Sequence, residues 1–180
     1  MLEALLGDGF EIRNEGLCGR TFIASDPEKP YRSGLSSLSS ILRTSDPVDL
    51  VIVMLGTNDM KSTYGLSVSD IVDHLRQTIS LIRTEGEELI RNPEILIVCP
   101  PRVIFRKDGS IDERMLRAVD MSKELPAAYR AVANETNCAF IDAGEHVVSS
   151  GKDGYHLEPE AHRKLTSVIA ETVHRIFPEG

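Results

Sequence analysis

The sequence predicts an α/β domain in which a doubly wound parallel sheet is covered by helices on both faces. Three apolar runs have the length of strands: DLVIVML at residues 49–55, EILIVCP at 94–100 and CAFIDA at 138–143. Their apolar character is continuous rather than alternating, which is typical of strands buried on both faces. Helical patterns separate the runs, and this alternation indicates parallel strands joined by helices.

A shorter candidate strand, FEIRNEG at residues 10–16, precedes the three runs. The first long helix is predicted at residues 70–86, where apolar residues recur every three or four positions. Ser69 or Asp70 can cap its N-terminus, and Gly86 can end it.

Two further helices are predicted after the second and third runs. Residues 112–137 have a helical pattern, but Pro126 should kink or divide this helix, because proline lacks the backbone N–H and clashes with the preceding turn. Residues 158–177 form the last pattern, and Pro159 fits its first helical position. The serine-rich residues 33–40 are also helix-like, so capping or solvent exposure is the expected role of their hydroxyls.

Length and composition favour a single globular domain without a membrane span. A domain of 180 residues buries roughly 70% of its unfolded-chain surface. Hydrophobic residues make up 41% and charged residues 27% of the sequence, which is the ordinary globular range. The formal net charge of −8 argues against a nucleic-acid partner, because binding to phosphates requires a basic surface. The expected partner is a small-molecule substrate, and a homo-oligomer remains open.

The cysteines and the N-terminal residues indicate a cytoplasmic protein. Cys18, Cys99 and Cys138 are odd in number and lack zinc-ligand spacing, so reduced thiols are expected. The N-terminal stretch MLEALLGDGF has neither the basic region nor the long apolar region of a signal peptide. We expect no cofactor and no metal.

The loops that follow the predicted strands are the candidate functional segments. In open parallel sheets, ligands bind outside the carboxyl ends of the strands, where these loops gather. Residues 56–59, GTND, follow the first apolar run, and the turn there can aim the Asn58 amide into a crevice as a donor to an oxyanion. The alternative is that Asn58 and Asp59 make side-chain hydrogen bonds to the backbone of their own turn.

A second candidate segment is DGYHLEPEAH, at the entrance to the last helix. Asp153 and His156 are three residues apart, so the carboxylate can hold one imidazole nitrogen and leave the other free as a base. A surface turn is the alternative for a lone D-x-x-H pattern. A metal site formed by His156, Glu158 and the residues that follow is a further alternative, but Pro159 and the lack of an i,i+4 histidine pair disfavour it.

Taken together, three blocks of this sequence resemble the SGNH hydrolases, a branch of the GDSL esterase family. The blocks are NEGLCGRT at residues 14–21, GTND at 56–59 and DGYH at 153–156, each after a predicted strand. The likeness covers nearly all of the chain, including VDLVIVMLGTNDMK and FIDAGEHV, and is greatest to bacterial arylesterase or acyltransferase-like members.

The resemblance implies a fold and a set of catalytic residues. It implies a flavodoxin-like strand order and a serine esterase that hydrolyses small carboxylic esters or transfers their acyl group. By motif match, Gly19 and Asn58 correspond to the oxyanion donors, and Asp153 and His156 to two members of a Ser-His-Asp triad.

The family's first block, a strand followed by G-D-S-L, is absent from this sequence. Residues 7–9 read GDG and lack the serine, whereas residues 2–6, LEALL, resemble the end of the helix that follows the first block. We therefore expect residues 1–180 to form a single, N-terminally truncated SGNH hydrolase-like domain, with the serine upstream. The absent strand would lie between residues 10–15 and 49–55.

Three alternatives to a serine esterase with an upstream nucleophile remain. Cys18 could attack an ester in place of serine, since thiols are strong nucleophiles. The chain could instead be a nucleophile-less relative that binds acylated or glycosidic ligands without turnover. A nucleotide-binding flavodoxin-like domain would share the fold, but the sequence has no glycine-rich phosphate loop, and no G-x-S-x-G motif offers another serine.

Overall fold

The computed structural model describes residues 1–24 and 29–178, and its centre is a parallel three-stranded sheet. The strands are β1 (Leu50–Val53), β2 (Glu94–Cys99) and β3 (Ala139–Asp142), in the spatial order β1-β2-β3. Both pairs are parallel, with Leu50 opposite Glu94 and Leu96 opposite Ala139. The three apolar runs therefore form the sheet that the sequence predicts.

Five α-helices surround this sheet in the described part of the chain. They are α1 (Leu2–Leu6), α2 (Gly34–Ser45), α3 (Val68–Gly86), α4 (Ala118–Thr136) and α5 (Pro159–Ile176). Single 3₁₀ turns lie at Pro30–Arg32, Ser62–Tyr64, Glu113–Met115 and Ala143–Glu145. Within the described residues, no helix combines the length and the apolar character that a membrane span requires.

The helices cover both faces of the sheet, as expected for a doubly wound domain. Ile95 and Ile97 of β2 are buried in the cluster formed with α3 and α4, whereas Leu96 and Val98 are buried with Leu165 of α5. This alternation follows from the two-residue period of a strand, which points successive side chains to opposite faces.

The candidate strand at residues 10–16 is wrong, because the structure has no strand there. Phe10 and Ile12 do pack against the Leu6 and Val173 cluster, which explains the apolar pattern. A strand also requires a backbone partner about 4.8 Å away. Residues 10–16 instead line a groove of about 1100 Å³ whose lining also includes residues 49–55.

Three details of the predicted helices are also corrected. The N-cap of α3 is Ser67 rather than Ser69 or Asp70, because Ser67 and Asp70 form a reciprocal capping box. Pro126 lies inside α4 and does not divide it. Loss of one helical hydrogen bond is offset by burial of flanking side chains such as Leu125 and Tyr129, each contributing about 1.5–3 kcal/mol. α4 begins later than predicted, at Ala118.

Candidate active site

Loops at the carboxyl ends of the strands are joined to one another by hydrogen bonds. The loop that carries Asp153 and His156 docks on the segment after β2, where the Ile104 N–H donates to the Gly154 carbonyl at 2.9 Å. In the same region the Ser149 hydroxyl donates to the Arg102 carbonyl at 2.7 Å. These bonds fix the last motif at the edge of the sheet where parallel strands place ligands.

Asp153 and His156 are in direct contact, as their spacing in the sequence predicts. Asp153 Oδ2 lies 2.8 Å from His156 Nδ1. The other carboxylate oxygen, Oδ1, accepts from the backbone N–H groups of Tyr155 and His156, both at 3.0 Å. With Nδ1 directed at Asp153, the imidazole presents Nε2, and 68% of the His156 side chain is exposed.

The hydrogen bonds to Asp153 keep its carboxylate ionised. Partial burial acts to raise the pKa of Asp153, but the backbone N–H groups of His156 and Tyr155 and the His156 ring together outweigh it, so the pKa lies below its ordinary value. Asp153 is therefore a carboxylate at neutral pH. It can hold the imidazole in the tautomer with a proton on Nδ1 and a lone pair on Nε2.

Gly154, between the two residues of this pair, has to be glycine. Its φ is +94°, a conformation that L side chains rarely adopt, and a Cβ there would lie 2.1 Å from the Ile104 carbonyl oxygen. The close approach of the two backbones is what places Asp153 and His156 against the segment after β2.

The Asn58 side chain is held by a hydrogen bond to a neighbouring loop. Its Nδ2 donates a 3.0 Å hydrogen bond to the carbonyl of Arg20, in the block that contains Gly19. The amide carries two N–H groups, so one is engaged with Arg20 and the second is available to a ligand. The side chain thus binds a neighbouring loop rather than its own turn.

Asp59 joins the same two loops and is fully buried. Its Oδ1 accepts a 2.9 Å hydrogen bond from the Phe22 N–H, and its Oδ2 has no partner in the described part of the structure. Burial raises the pKa of Asp59 to about 6, although the backbone N–H of Phe22 opposes this shift. The Asp59 carboxylate therefore joins the GTND turn to Phe22, the residue that follows the NEGLCGRT block.

The turn after β1 is shaped by Gly56 and Tyr129. Gly56 has φ +120°, and a Cβ there would lie 2.3 Å from the Tyr129 hydroxyl oxygen. That hydroxyl donates to the Leu55 carbonyl at 3.1 Å. The buried tyrosine of α4 therefore holds the backbone between the end of β1 and Asn58.

Gly19 presents a free backbone donor at this edge. Its φ is +79°, and in residues 1–24 and 29–178 its N–H has no acceptor. A Cβ on Gly19 would lie 2.9 Å from the Arg32 guanidinium carbon, so a side chain would displace that arginine. The open N–H and the second N–H of Asn58 are the two donors that the sequence resemblance implies.

Charges and apolar contacts connect the Asn58 loop with the His156 loop. Burial, followed by the positive charges of Arg114 and Arg32, lowers the pKa of Lys61. Arg114 in turn interacts with Tyr155, the neighbour of His156. Met60, two residues after Asn58, and Tyr155, next to His156, belong to one apolar cluster; that the Asn58 amide and the His156 ring face one crevice stays a prediction.

The remaining reactive groups lie in different settings. Cys18 is exposed beside Gly19, whereas Cys99 is buried, which raises the pKa of its thiol well above the ordinary range. Among the described residues no group of three histidine, cysteine or carboxylate side chains could hold a metal ion. Glu158 is engaged with Lys152 and Ser150.

Sequence reasoning missed the residues that hold the candidate donors in place. For Asp59 the sequence predicts only a bond within its own turn, whereas in the structure its buried carboxylate accepts from the Phe22 N–H of another loop. Gly56 and Tyr129 lie far apart in the sequence, so their contact has no sequence signal.

A family profile and several solved structures match this chain. The profile described as the GDSL-like Lipase/Acylhydrolase family matches residues 1–164. A carbohydrate acetylesterase from Sinorhizobium meliloti superposes with a TM-score of 0.92 and 32% identity, covering 98% of this chain and 83% of its own. The aryl esterase of M. smegmatis superposes with a TM-score of 0.89 and is 31% identical, over 97% of this chain and 82% of its own. A putative arylesterase from Agrobacterium tumefaciens superposes with a TM-score of 0.90 and is 33% identical, over 98% of this chain and 85% of its own.

A curated relative extends well beyond the matched part. It is an acetylxylan esterase from Xylanibacter ruminicola, 23% identical over 187 residues that cover 96% of this chain. The chain spans only 37% of the length of that relative. The solved structures agree with the predicted fold, a parallel sheet flanked by helices as in SGNH hydrolases.

Proposed function

The chain belongs to the GDSL-like lipase/acylhydrolase family, and we propose that it supplies the base, the orienting carboxylate and the oxyanion donors of a serine esterase. The observation that carries the proposal is the 2.8 Å contact between Asp153 Oδ2 and His156 Nδ1, which leaves Nε2 as a base. The nucleophilic serine would lie upstream of Met1, in the block that this sequence lacks.

The proposed mechanism follows the serine triad. His156 Nε2 removes the proton from the serine hydroxyl as its oxygen attacks the ester carbonyl. Asp153 holds the ring through Nδ1 and stabilises the imidazolium. His156 then passes the proton to the leaving alcohol, and water resolves the acyl-enzyme with His156 again as base; an alcohol in place of water would give acyl transfer.

The negative charge that develops on the carbonyl oxygen would be met by two fixed donors, the Gly19 N–H and the free N–H of Asn58. Fixed donors of this kind contribute about 3–4 kcal/mol each in comparable hydrolases. The tie between Asn58 and the Arg20 carbonyl supports this assignment, because it sets the amide beside Gly19 before a substrate arrives.

The proposed substrates are esters with a short acyl group. The matched proteins include a carbohydrate acetylesterase and an acetylxylan esterase, both acting on acetyl esters by name, and an aryl esterase. An acetyl group with a sugar or aromatic alcohol is therefore the substrate class we favour.

The nucleophile-less interpretation lacks a specific supporting observation. A self-sufficient sheet would join residues 10–15 directly to β1 in a continuous ladder. Within the described residues β1 pairs only with β2, and residues 10–15 form no ladder. The sheet edge is left open where the absent strand is proposed.

The test compares the 180-residue chain with a chain extended by the residues encoded upstream of Met1. We expect the extended protein to hydrolyse 4-nitrophenyl acetate, the serine-to-alanine variant of the extension to lose this activity, and the 180-residue chain to stay at the buffer rate. Robust hydrolysis by the 180-residue chain that His156→Ala abolishes would contradict the upstream serine. Loss of that activity in Cys18→Ser would then identify the thiol as nucleophile.

A further inference from the structure

Basic side chains border the candidate active site, and the proposed mechanism does not use them. Residues 102–117, between β2 and α4, contain five arginines or lysines and three carboxylates, although the formal net charge of the whole chain is −8. Lys61, three residues after Asn58, adds a further positive charge on the opposite loop. Positive charge is therefore concentrated in two segments that meet beside the site, within an acidic protein.

Two 3₁₀ turns bring Lys61 and Arg114 together. The turn Ser62–Tyr64, which follows Lys61, packs against the turn Glu113–Met115, which contains Arg114. Lys61 and Arg114 are called the cation pair from here on. Like charges repel, so their proximity in the absence of a ligand is unfavourable.

Arg114 keeps unused N–H groups although it is bound by Asp112. Its Nε and Nη2 donate to the two Asp112 carboxylate oxygens, at 3.0 and 2.7 Å. Its Nη1 has no hydrogen-bond partner in residues 1–24 and 29–178. The carboxylate thus fixes the planar guanidinium and leaves one nitrogen, with two N–H groups, for a ligand.

Lys61 has no counter-ion in the described part of the chain. Its side chain is half-buried, and its ammonium forms no hydrogen bond or ion pair there. Burial is the main cause of its lowered pKa, and Arg114 and Arg32 lower that pKa further by more than Cys18 and Asp112 raise it. An anion bound at the cation pair would offset this repulsion.

Other charged groups nearby are already engaged or exposed. Asp108 accepts from the N–H and the hydroxyl of Ser110, at 2.9 and 2.7 Å. Hydrogen bonds from Arg114, and more weakly the charge of Arg106, lower the pKa of Asp112 to about 2. Asp112 is therefore ionised and balances one cation, and Glu113 is exposed to solvent.

The Lys61 end of the cation pair adjoins the proposed oxyanion donors. The Lys61 N–H donates to the Asn58 carbonyl at 3.2 Å, so its side chain leaves the backbone one turn beyond that amide. The Arg32 guanidinium, which acts on Lys61, is the group nearest to a Cβ position on Gly19, at 2.9 Å. Positive charge therefore extends along this side of the site.

The Arg114 end adjoins His156. Arg114 interacts with Tyr155, whose ring lies beside the His156 ring with the centroids 4.6 Å apart. Ile111, three residues before Arg114, has its Cδ1 3.9 Å from a Cβ position on Gly154. In the proposed mechanism His156 gives its proton to the leaving alcohol, so the alcohol part of the ester lies on this side.

We propose that the cation pair binds a carboxylate on the alcohol part of the substrate, so that the preferred substrates are acetyl esters of acidic alcohols. The inference rests on the proposed function for the position of the ester. One carboxylate oxygen would accept from Arg114 Nη1 and the other from Lys61 Nζ, which are charge-assisted hydrogen bonds. Neither residue takes part in the chemistry; both select the substrate.

The test is binding of two probes to the 180-residue chain, followed by NMR titration of its ¹⁵N-labelled amides. The first probe, 4-acetoxybenzoate, has a carboxylate on its alcohol part, and the second, 4-acetoxybenzamide, is a neutral analogue of similar shape. We expect the carboxylate probe to bind at least about tenfold more tightly, with large shifts at Lys61 and Arg114. Equal affinities, or shifts that include neither residue, would overturn the proposal.

Matched variants locate the carboxylate on the chain. Arg114→Gln should weaken binding of 4-acetoxybenzoate at least about tenfold and leave that of 4-acetoxybenzamide unchanged. Arg91→Gln is the control, because Arg91 is also bound by one aspartate, Asp49, but lies before β2, at the amino ends of the strands. It should leave both affinities unchanged. Equal effects of the two variants, or equal loss of both probes in Arg114→Gln, would contradict the proposal.

Lys61→Met provides a second variant, which removes the charge and keeps an unbranched side chain. It should also weaken binding of 4-acetoxybenzoate alone, and an unchanged affinity would remove Lys61 from the site. Monophenyl succinate, whose carboxylate is on the acyl part, and acetate should each bind at least about tenfold more weakly than 4-acetoxybenzoate. Equal binding of the succinate would place the charge on the acyl part, equal binding of acetate would show an unspecific anion patch, and either would overturn the proposal.

The outcome is distinguishable from that of the proposed function, because binding requires no nucleophile and 4-nitrophenyl acetate has no carboxylate. Carboxylate-selective binding without hydrolysis of 4-nitrophenyl acetate by the extended protein would contradict the esterase and support the carboxylate site. Hydrolysis together with equal affinities for the two probes would support the esterase and overturn the carboxylate site.

Discussion

The carboxylate of Asp59 accepts a 2.9 Å hydrogen bond from the backbone N–H of Phe22, and this bond joins two loops that each carry a proposed oxyanion donor. Asn58 makes the neighbouring bond to the Arg20 carbonyl. The two bonds join the same pair of loops. The bond of Asp59 is buried, and that of Asn58 is partly buried. Their geometry leads to the first two predictions.

Asp59→Asn should change the pH dependence of stability. The pKa of Asp59 is about 6 in the folded chain against an ordinary value of 3.8, so the folded state holds the proton more tightly. The resulting stabilisation is present below about pH 4 and is lost as the pH rises through about 6, and amounts to about 3 kcal/mol.

Asparagine keeps the acceptor for Phe22 but does not titrate. Relative to the parent chain, the free energy of unfolding of Asp59→Asn should therefore rise between about pH 4 and 7 by up to about 3 kcal/mol. Urea unfolding of both proteins across this range measures the difference, in which the other carboxylates cancel. A difference that does not vary with pH would show that folding does not raise the pKa of Asp59.

Asn58→Ala should lower kcat of the extended, serine-containing protein by about a hundredfold or more, because it removes a donor to the oxyanion. The matched control is Asn134→Ala, at an exposed position of α4. It should have no effect on the rate. A decrease of less than about threefold in Asn58→Ala, with unchanged unfolding free energy, would remove Asn58 from the mechanism.

Gly56→Ala should destabilise the chain by at least about 3 kcal/mol, because backbone strain is added to a clash with the Tyr129 hydroxyl. Gly65→Ala is the control: Gly65 also has a positive φ, +64°, but nothing lies within 4 Å of its Cβ position. It should cost about 1–2 kcal/mol.

The clash at Gly56 can be isolated in a double-mutant cycle with Tyr129→Phe. Removal of the hydroxyl leaves Tyr129 Cζ, at 3.4 Å, as the nearest atom to the added Cβ. Urea unfolding should give a smaller cost for Gly56→Ala in the Tyr129→Phe background. An unchanged cost would assign the whole effect to the backbone conformation.

Gly154→Ala should disrupt the contact between Asp153 and His156, since the added Cβ would lie 2.1 Å from the Ile104 carbonyl oxygen and force the loop away. Kinetics of the extended protein should show a loss of kcat of at least about tenfold. Gly109→Ala, at φ +79° with open space around its Cβ position, should have little effect on kcat. Full activity of Gly154→Ala would mean that the loop position is not required.

Local sequence patterns were sufficient for most of the fold. The apolar runs at residues 49–55, 94–100 and 138–143 became the three strands, because continuous burial on both faces leaves a continuous apolar signal. The last helix begins at Pro159 as its backbone preference predicts. These signals depend on residues close together in the chain, so the sequence alone carries them.

The Asp153 and His156 contact was also determined locally, since the two residues are three apart in one turn. The contacts between different loops were not determined locally. Asp59 finds Phe22, and Gly56 meets Tyr129, only because separate segments are brought together at the end of the sheet. Hydrogen bonds and close contacts between distant segments leave no periodic signal.

The sequence by itself determined the α/β class, the three strands and the residue types of the candidate site, because periodicity, turn chemistry and short spacing are local properties. Tertiary structure alone decided that residues 10–16 are not a strand. They have the apolar side chains of one, but a strand depends on a backbone partner about 4.8 Å away, and residues 10–16 instead line a groove that they share with residues 49–55. Pairing is a property of two segments, and one segment's sequence cannot specify it.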